Sequence, residues 1–111
     1  MDFEEARQKA LAFRDERDWS QFHNPKDLAV SLSIEASELL ECFQWSGSDT
    51  SVAGRKDRLC EELADVMLYA IYLADAIDAD IPQIIGEKIR ANAAKYPVEL
   101  ARGSSRKYTE L

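Results

Sequence analysis

Two pairs of carboxylates, Glu35-Ala-Ser-Glu38 and Glu62-Leu-Ala-Asp65, lie inside segments whose apolar residues recur with a helical period. Residues three apart on a helix occupy neighbouring points of one face, so each pair projects from one side of its helix. Brought together, the two pairs make a cage of four carboxylates. Like charges that close raise one another's pKa unless a cation sits among them. A fold that unites these helices therefore has to answer a charge problem, and a bound divalent cation is the direct answer.

The rest of the chain is helical in pattern as well. No run alternates with period two for long enough to suggest a sheet, and the four glycines and three prolines fall near expected helix ends. At 111 residues and 46% apolar content, the chain is one globular domain at most. A domain this short buries a limited core, so association with further copies is expected. The net charge of −7 argues against a nucleic-acid polymer as partner. No apolar run approaches the roughly 20 residues that span a bilayer. The acidic start Met1-Asp2-Phe3-Glu4-Glu5 does not read as a signal peptide, and Cys42 and Cys60 read as reduced thiols of a cytoplasmic protein.

The pattern predicts a first helix over about Phe3–Arg17, capped by Asp2, with an apolar stripe of Phe3, Ala6, Ala10 and Phe13. An aromatic and polar break, Asp18 to Asn24, follows. Asn24-Pro25 restarts a helix that runs to about Gln44. There Leu28, Leu32, Ala36, Leu39 and Phe43 form one apolar arc and Val30 and Ile34 a smaller one, with Glu35 and Glu38 between them. Glu41 lies near the smaller arc as a further candidate. After the loop 46–54, a third helix over about Arg55–Ile77 presents Leu59, Leu63, Val66, Met67, Ala70, Leu73, Ala74 and Ile77 as its core face. Glu62, Asp65 and Tyr69 edge that face, Glu61 points further toward solvent, and Leu68 and Ile71 lie outside the arc. The fourth helix, from Asp80-Ile81-Pro82 to about Lys95, is expected to bury Ile81, Ile84, Ile85 and Ile89, with Lys88, Asn92 and Lys95 recurring along that face. A domain over residues 1–98 would then be followed by a mobile basic tail, 99–111.

These parts suit one chemistry. Mg²⁺ prefers oxygen ligands and shares its shell with substrate phosphates, and Mn²⁺ is the natural substitute. Glu35, Glu38, Glu62 and Asp65 are the candidate ligands and catalytic carboxylates. Lys88 and Lys95 can neutralise phosphate oxygens, and Asn92 can meet a sugar hydroxyl or a base edge. Trp19, Phe22, His23 and Trp45 can stack on a nucleobase, a contact worth about 1–3 kcal/mol per base. Singly, each feature has a plainer explanation: an isolated ExxE is commonly a solvated face, and Trp19 or Phe22 can simply pack beneath the first helix.

The ExxE…ExxD pattern resembles the signature of the all-α MazG-like nucleotide pyrophosphohydrolases. Arg17-Asp18-Trp19-Ser20-Gln21-Phe22-His23, Phe43-Gln44-Trp45, Asp65-Val66-Met67-Leu68-Tyr69, Lys88…Asn92…Lys95-Tyr96-Pro97-Val98 and Gly103-Ser104-Ser105-Arg106-Lys107-Tyr108-Thr109-Glu110-Leu111 look like the dCTP pyrophosphatase branch of that superfamily. The resemblance implies a four-helix up-down bundle that assembles as a dimer of dimers. It implies cleavage of a (deoxy)nucleoside triphosphate, dCTP or a modified dCTP, to the monophosphate and pyrophosphate. By position, Glu35, Glu38, Glu62 and Asp65 correspond to metal ligands, Trp19, His23, Trp45 and Tyr69 to pocket residues, and Lys88 and Asn92 to phosphate or base contacts. Ala10 departs from the pattern, since some members of the branch place a histidine there near the base.

Rival readings are a dUTP or broad NTP hydrolase, or a phosphoribosyl-ATP pyrophosphohydrolase, all of the same fold. A di-iron carboxylate bundle needs Glu-x-x-His pairs, and the sole histidine, His23, lies in a loop. A non-enzymatic helical interaction module would leave the lysine–asparagine stripe unexplained.

Overall fold

Asp2, Asn24 and Asp80 each accept a hydrogen bond from the backbone N–H three residues on, at 2.9, 2.9 and 3.0 Å. Each bond satisfies a donor that a helix start leaves without an intrahelical partner. In the computed structural model, which describes residues 1–111, these caps open α1 (Phe3–Glu16), α2 (Pro25–Glu41) and α4 (Ile81–Lys95). The remaining elements are α3 (Lys56–Ala76), α5 (Val98–Ala101) and two 3₁₀ turns, Trp19–Phe22 and Tyr108–Glu110. All regular structure is helical. α2 stops at Glu41, short of the expected Gln44, because Cys42, Phe43 and Gln44 donate to carbonyls three residues back and tighten the chain into turns. Trp45, at φ 68°, then enters the left-handed region and ends the helical path.

The chain divides into two units, Met1–Asp78 and Ala79–Leu111. In the first, α3 packs chiefly against α2 and also against α1. Glu41 lies 3.9 Å from Arg58, and the pairs 35/38 and 62/65 meet further along, so α2 and α3 run antiparallel. α1 runs parallel to α3: Tyr72 Oη donates to the Ala10 carbonyl at 3.1 Å, and one turn later Arg14 Nη1 donates to Asp75 Oδ2 at 2.6 Å. The buried core is Ala10, Leu28, Cys42, Ile71, Tyr72 and Ala74, joined by the charged Arg14.

Several expected core positions are not covered within the chain. Leu63, Met67 and Ile77 on α3 are exposed, as are Val30 and Ile34 on α2 and Phe13 on α1, whereas Ile71, placed outside the arc by periodicity, is buried. The small core has room for one side of α3 only, and that side turns toward Ile71 and Tyr72. Leaving such side chains in water forgoes about 1.5–3 kcal/mol each.

In the second unit, the expectation of a buried isoleucine face on α4 is overturned. No α4 residue is buried, and Ile84, Ile85 and Ile89 are exposed, Ile89 at 62%. Lys88, Asn92 and Lys95 are exposed too. Residues 99–111 carry the end of α5 and the closing 3₁₀ turn, where the Tyr108 ring meets Tyr96 edge-on at 5.9 Å and lies 4.9 Å beneath the Lys95 ammonium.

Candidate active site

The antiparallel packing of α2 on α3 brings Glu35, Glu38, Glu62 and Asp65 together. One carboxylate oxygen from each lies within 4.8 Å of the others. Glu35, Glu38 and Glu62 are half-buried, and Oε2 of Glu35 and of Glu62 are enclosed without any hydrogen-bond partner. Burial first, then the Glu38 carboxyl beside it and the charges of Asp65 and Glu62, push Glu35 up to about 7. Glu62 is raised as well, by burial and then by the Glu38 charge. No positive side chain is hydrogen-bonded into the cluster. A set of all-oxygen donors with two orphaned oxygens fits a hard divalent cation. Glu41 is exposed and leans toward Arg58, and Glu61 is exposed, so neither belongs to the group of four.

The aromatic residues fall into separate places. Tyr69 continues the Glu62–Asp65 edge of α3 and meets Tyr72 edge-on at 6.0 Å, and the His23 ring lies tilted against Tyr72 with ring centres 5.1 Å apart. Trp19 sits edge-on to Phe13 at 5.6 Å, while the Arg17 guanidinium lies 3.6 Å over the same Phe13 ring. Phe22 is exposed, and Trp45 is 93% exposed in its left-handed backbone conformation. A tryptophan held in a strained conformation and offered to solvent is the kind of feature that collects at binding sites. Lys88, Asn92 and Lys95 lie in the second unit along the exposed α4, and Lys95 also covers Tyr108.

Two buried residues were not anticipated. Arg14 holds a salt bridge to Asp75, and Tyr72 anchors α1 through the Ala10 carbonyl. A signal for Arg14 was available: it stands one helical turn after Ala10, in line with the apolar stripe of α1.

The family model of the MazG-like family matches residues 30–111. The chain is 44% identical over 114 residues to dCTP pyrophosphatase 1 of Mus musculus, a match covering 97% of this chain and 66% of that protein. Against dCTP pyrophosphatase 1 of Homo sapiens the identity is 42% over 113 residues, with the same 97% and 66%. The chain thus spans just under two thirds of the length of these relatives. Among solved structures it is similar to a pyrophosphatase from Archaeoglobus fulgidus, with TM-score 0.78 and 40% identity, covering 85% of this chain and 91% of that one. With its acidic helical pairs and this similarity along most of its length, the chain belongs to the MazG-like family.

Proposed function

We propose that this protein is a Mg²⁺-dependent nucleoside triphosphate pyrophosphohydrolase that cleaves dCTP or a modified dCTP to the monophosphate and pyrophosphate. The observation that carries the reading is the group of four carboxylates with two orphaned buried oxygens. The kinship with dCTP pyrophosphatases of mouse and human supports the nucleotide class.

Glu35, Glu38, Glu62 and Asp65 would hold the metal, with Mn²⁺ as the substitute ion. When bound, the ion supplies charge stabilisation at the phosphoryl group and lowers the pKa of a coordinated water. The protein's own part is to accept a proton and to position the substrate. One of the four carboxylates takes the proton of the attacking water as the water oxygen bonds to the α-phosphorus and pyrophosphate departs. Tyr69 and His23, both in ring contact with Tyr72, together with Trp19, Phe22 and Trp45, are the proposed base contacts. Lys88, Asn92 and Lys95 are the proposed phosphate and sugar contacts, being exposed at i, i+4 and i+7 of one helix.

A four-helix bundle assembling as a dimer of dimers fits the apolar residues left uncovered in one chain, among them Val30, Ile34, Leu40, Leu63, Met67, Ile84, Ile85 and Ile89. Both cysteines are free thiols, in keeping with a cytoplasmic setting, and no helix is long and apolar enough to cross a membrane. The test is a panel of dNTPs and NTPs with Mg²⁺ in which both products are identified. dCTP or a 5-substituted dCTP should give the highest kcat/KM. Preferred release of orthophosphate would rule the reading out, and a clear preference for dUTP would move the assignment to that rival.

A further inference from the structure

Trp45 is the most exposed of the proposed base contacts, at 93%, and its backbone sits in the left-handed region at φ 68°. With little packed against the ring, its direction is set by the backbone on either side. A residue with a Cβ keeps such a conformation only where its surroundings impose it. Burial does not impose it here, because residues 47–54 of the following loop are all exposed.

A chain of polar contacts does. The Ser46 N–H donates to the Phe43 carbonyl at 3.1 Å, closing a turn that contains Trp45, and the Asp49 N–H donates to the Ser46 carbonyl at 3.1 Å. Asp49 Oδ1 accepts from the Ser51 N–H at 3.0 Å. Arg55 then draws the two ends of this path together. Its Nη1 donates to Asp49 Oδ2 at 3.1 Å and to the Ser51 carbonyl at 2.9 Å. Its guanidinium carbon lies 5.4 Å over the Phe43 ring. Arg55 is itself anchored, since its carbonyl accepts the Leu59 N–H at the start of α3, at 2.9 Å. A planar guanidinium suits this task, because it bonds oxygens with its edge while its face meets an aromatic ring. Its charge is already matched by Asp49, which makes it a poor contact for a phosphate.

Building on the nucleotide reading above, we propose that Arg55 is a positioning residue: it clamps the loop 46–54 to Phe43 and so holds Trp45 where its ring can stack on the base. The Arg55 side chain does not itself touch the nucleotide. Its effect runs through Trp45, so the two residues are energetically coupled. A ring fixed in advance does not have to be ordered when substrate arrives, so loss of the clamp falls on KM rather than on the hydrolytic step.

A double-mutant cycle tests this in the full chain, with melting temperature as the control for folding. Arg55→Ala should raise KM for dCTP by about fivefold, the lower end of what one base stack contributes, and leave kcat within about twofold. In the Trp45→Ala background the same substitution should leave KM unchanged. Asp49→Ala, which removes the other half of the clamp, should follow the same pattern. Without nucleotide, Trp19→Phe leaves Trp45 as the sole tryptophan, and adding Arg55→Ala should lower its fluorescence anisotropy. An equal rise of KM in both backgrounds, an unchanged KM in Arg55→Ala, or an unchanged anisotropy overturns the role of Arg55 and leaves the pyrophosphohydrolase reading standing. Absence of pyrophosphate from every nucleotide removes that reading and this role with it.

Discussion

Glu35 on α2 and Glu62 on α3 bring carboxylate oxygens within 4.8 Å of each other, and each keeps Oε2 buried and without a partner. With Glu38 and Asp65 in the same group, the metal-free protein stores repulsion at this point. A divalent cation relieves it.

The repulsion gives a pH signature. Glu35 binds its proton up to about pH 7 in the folded chain, against an ordinary value of 4.5, and Glu62 is raised too. Between those limits the folded state holds more protons than the unfolded one, so stability is full below about pH 4.5 and falls as pH rises toward and past 7. Melting temperature in EDTA should therefore drop from pH 5 to pH 8, and Mg²⁺ should raise it more at pH 8 than at pH 5.5. A metal-free melting temperature that climbs over this interval would contradict the arrangement.

Substitution within the group should separate stability from activity. Glu38→Gln removes one of four like charges while keeping size and hydrogen-bonding capacity. The variant should melt no lower than the parent in EDTA and yet lose activity by about a hundredfold, because the ion loses one of its carboxylate ligands. Near-full activity would remove Glu38 from the metal shell.

Trp45 offers a contrast, because its side chain touches little of its own chain and is 93% exposed. Trp45→Ala should leave the melting temperature within about 2–4 °C, since exposed positions away from packed features change stability by less than about 0.5 kcal/mol. In steady-state kinetics KM should rise more than kcat falls. An unchanged KM would assign Trp45 to packing between copies.

The uncovered faces of α2 and α3 set the expectation for assembly. Ile34→Asp places a charge where an apolar residue is 53% exposed in the single chain. Sedimentation should show the parent as a tetramer and Ile34→Asp as a smaller species. A parent that sediments as a monomer would overturn the dimer-of-dimers expectation.

Much of this molecule can be read from its residues, and the exceptions have physical causes. Helix starts are legible because Asp2, Asn24 and Asp80 cap them locally, with partners three residues away. The convergence of Glu35, Glu38, Glu62 and Asp65 is legible because i, i+3 spacing survives whatever the helices pack against. The burial of Ile71 and the exposure of Leu63, Met67 and the α4 isoleucines are not. Periodicity marks an apolar face without saying whether the chain itself or another copy covers it. Arg14 escaped because a charged residue in a short helix reads as solvated until its partner is known, and Asp75 lies 61 residues further along the chain. The end of α2 shifted because Cys42, Phe43 and Gln44 tighten into turns before Trp45 enters the left-handed region, a backbone path that side-chain pattern does not encode.

The most direct test is the metal dependence of product release from dCTP. Parent protein with Mg²⁺ should yield dCMP and pyrophosphate in equal amounts, with the rate abolished by EDTA and restored by Mg²⁺ or Mn²⁺. Hydrolysis that persists in EDTA, or no pyrophosphate from dCTP or any other nucleoside triphosphate at saturating Mg²⁺, would contradict a metal-holding carboxylate site at Glu35, Glu38, Glu62 and Asp65.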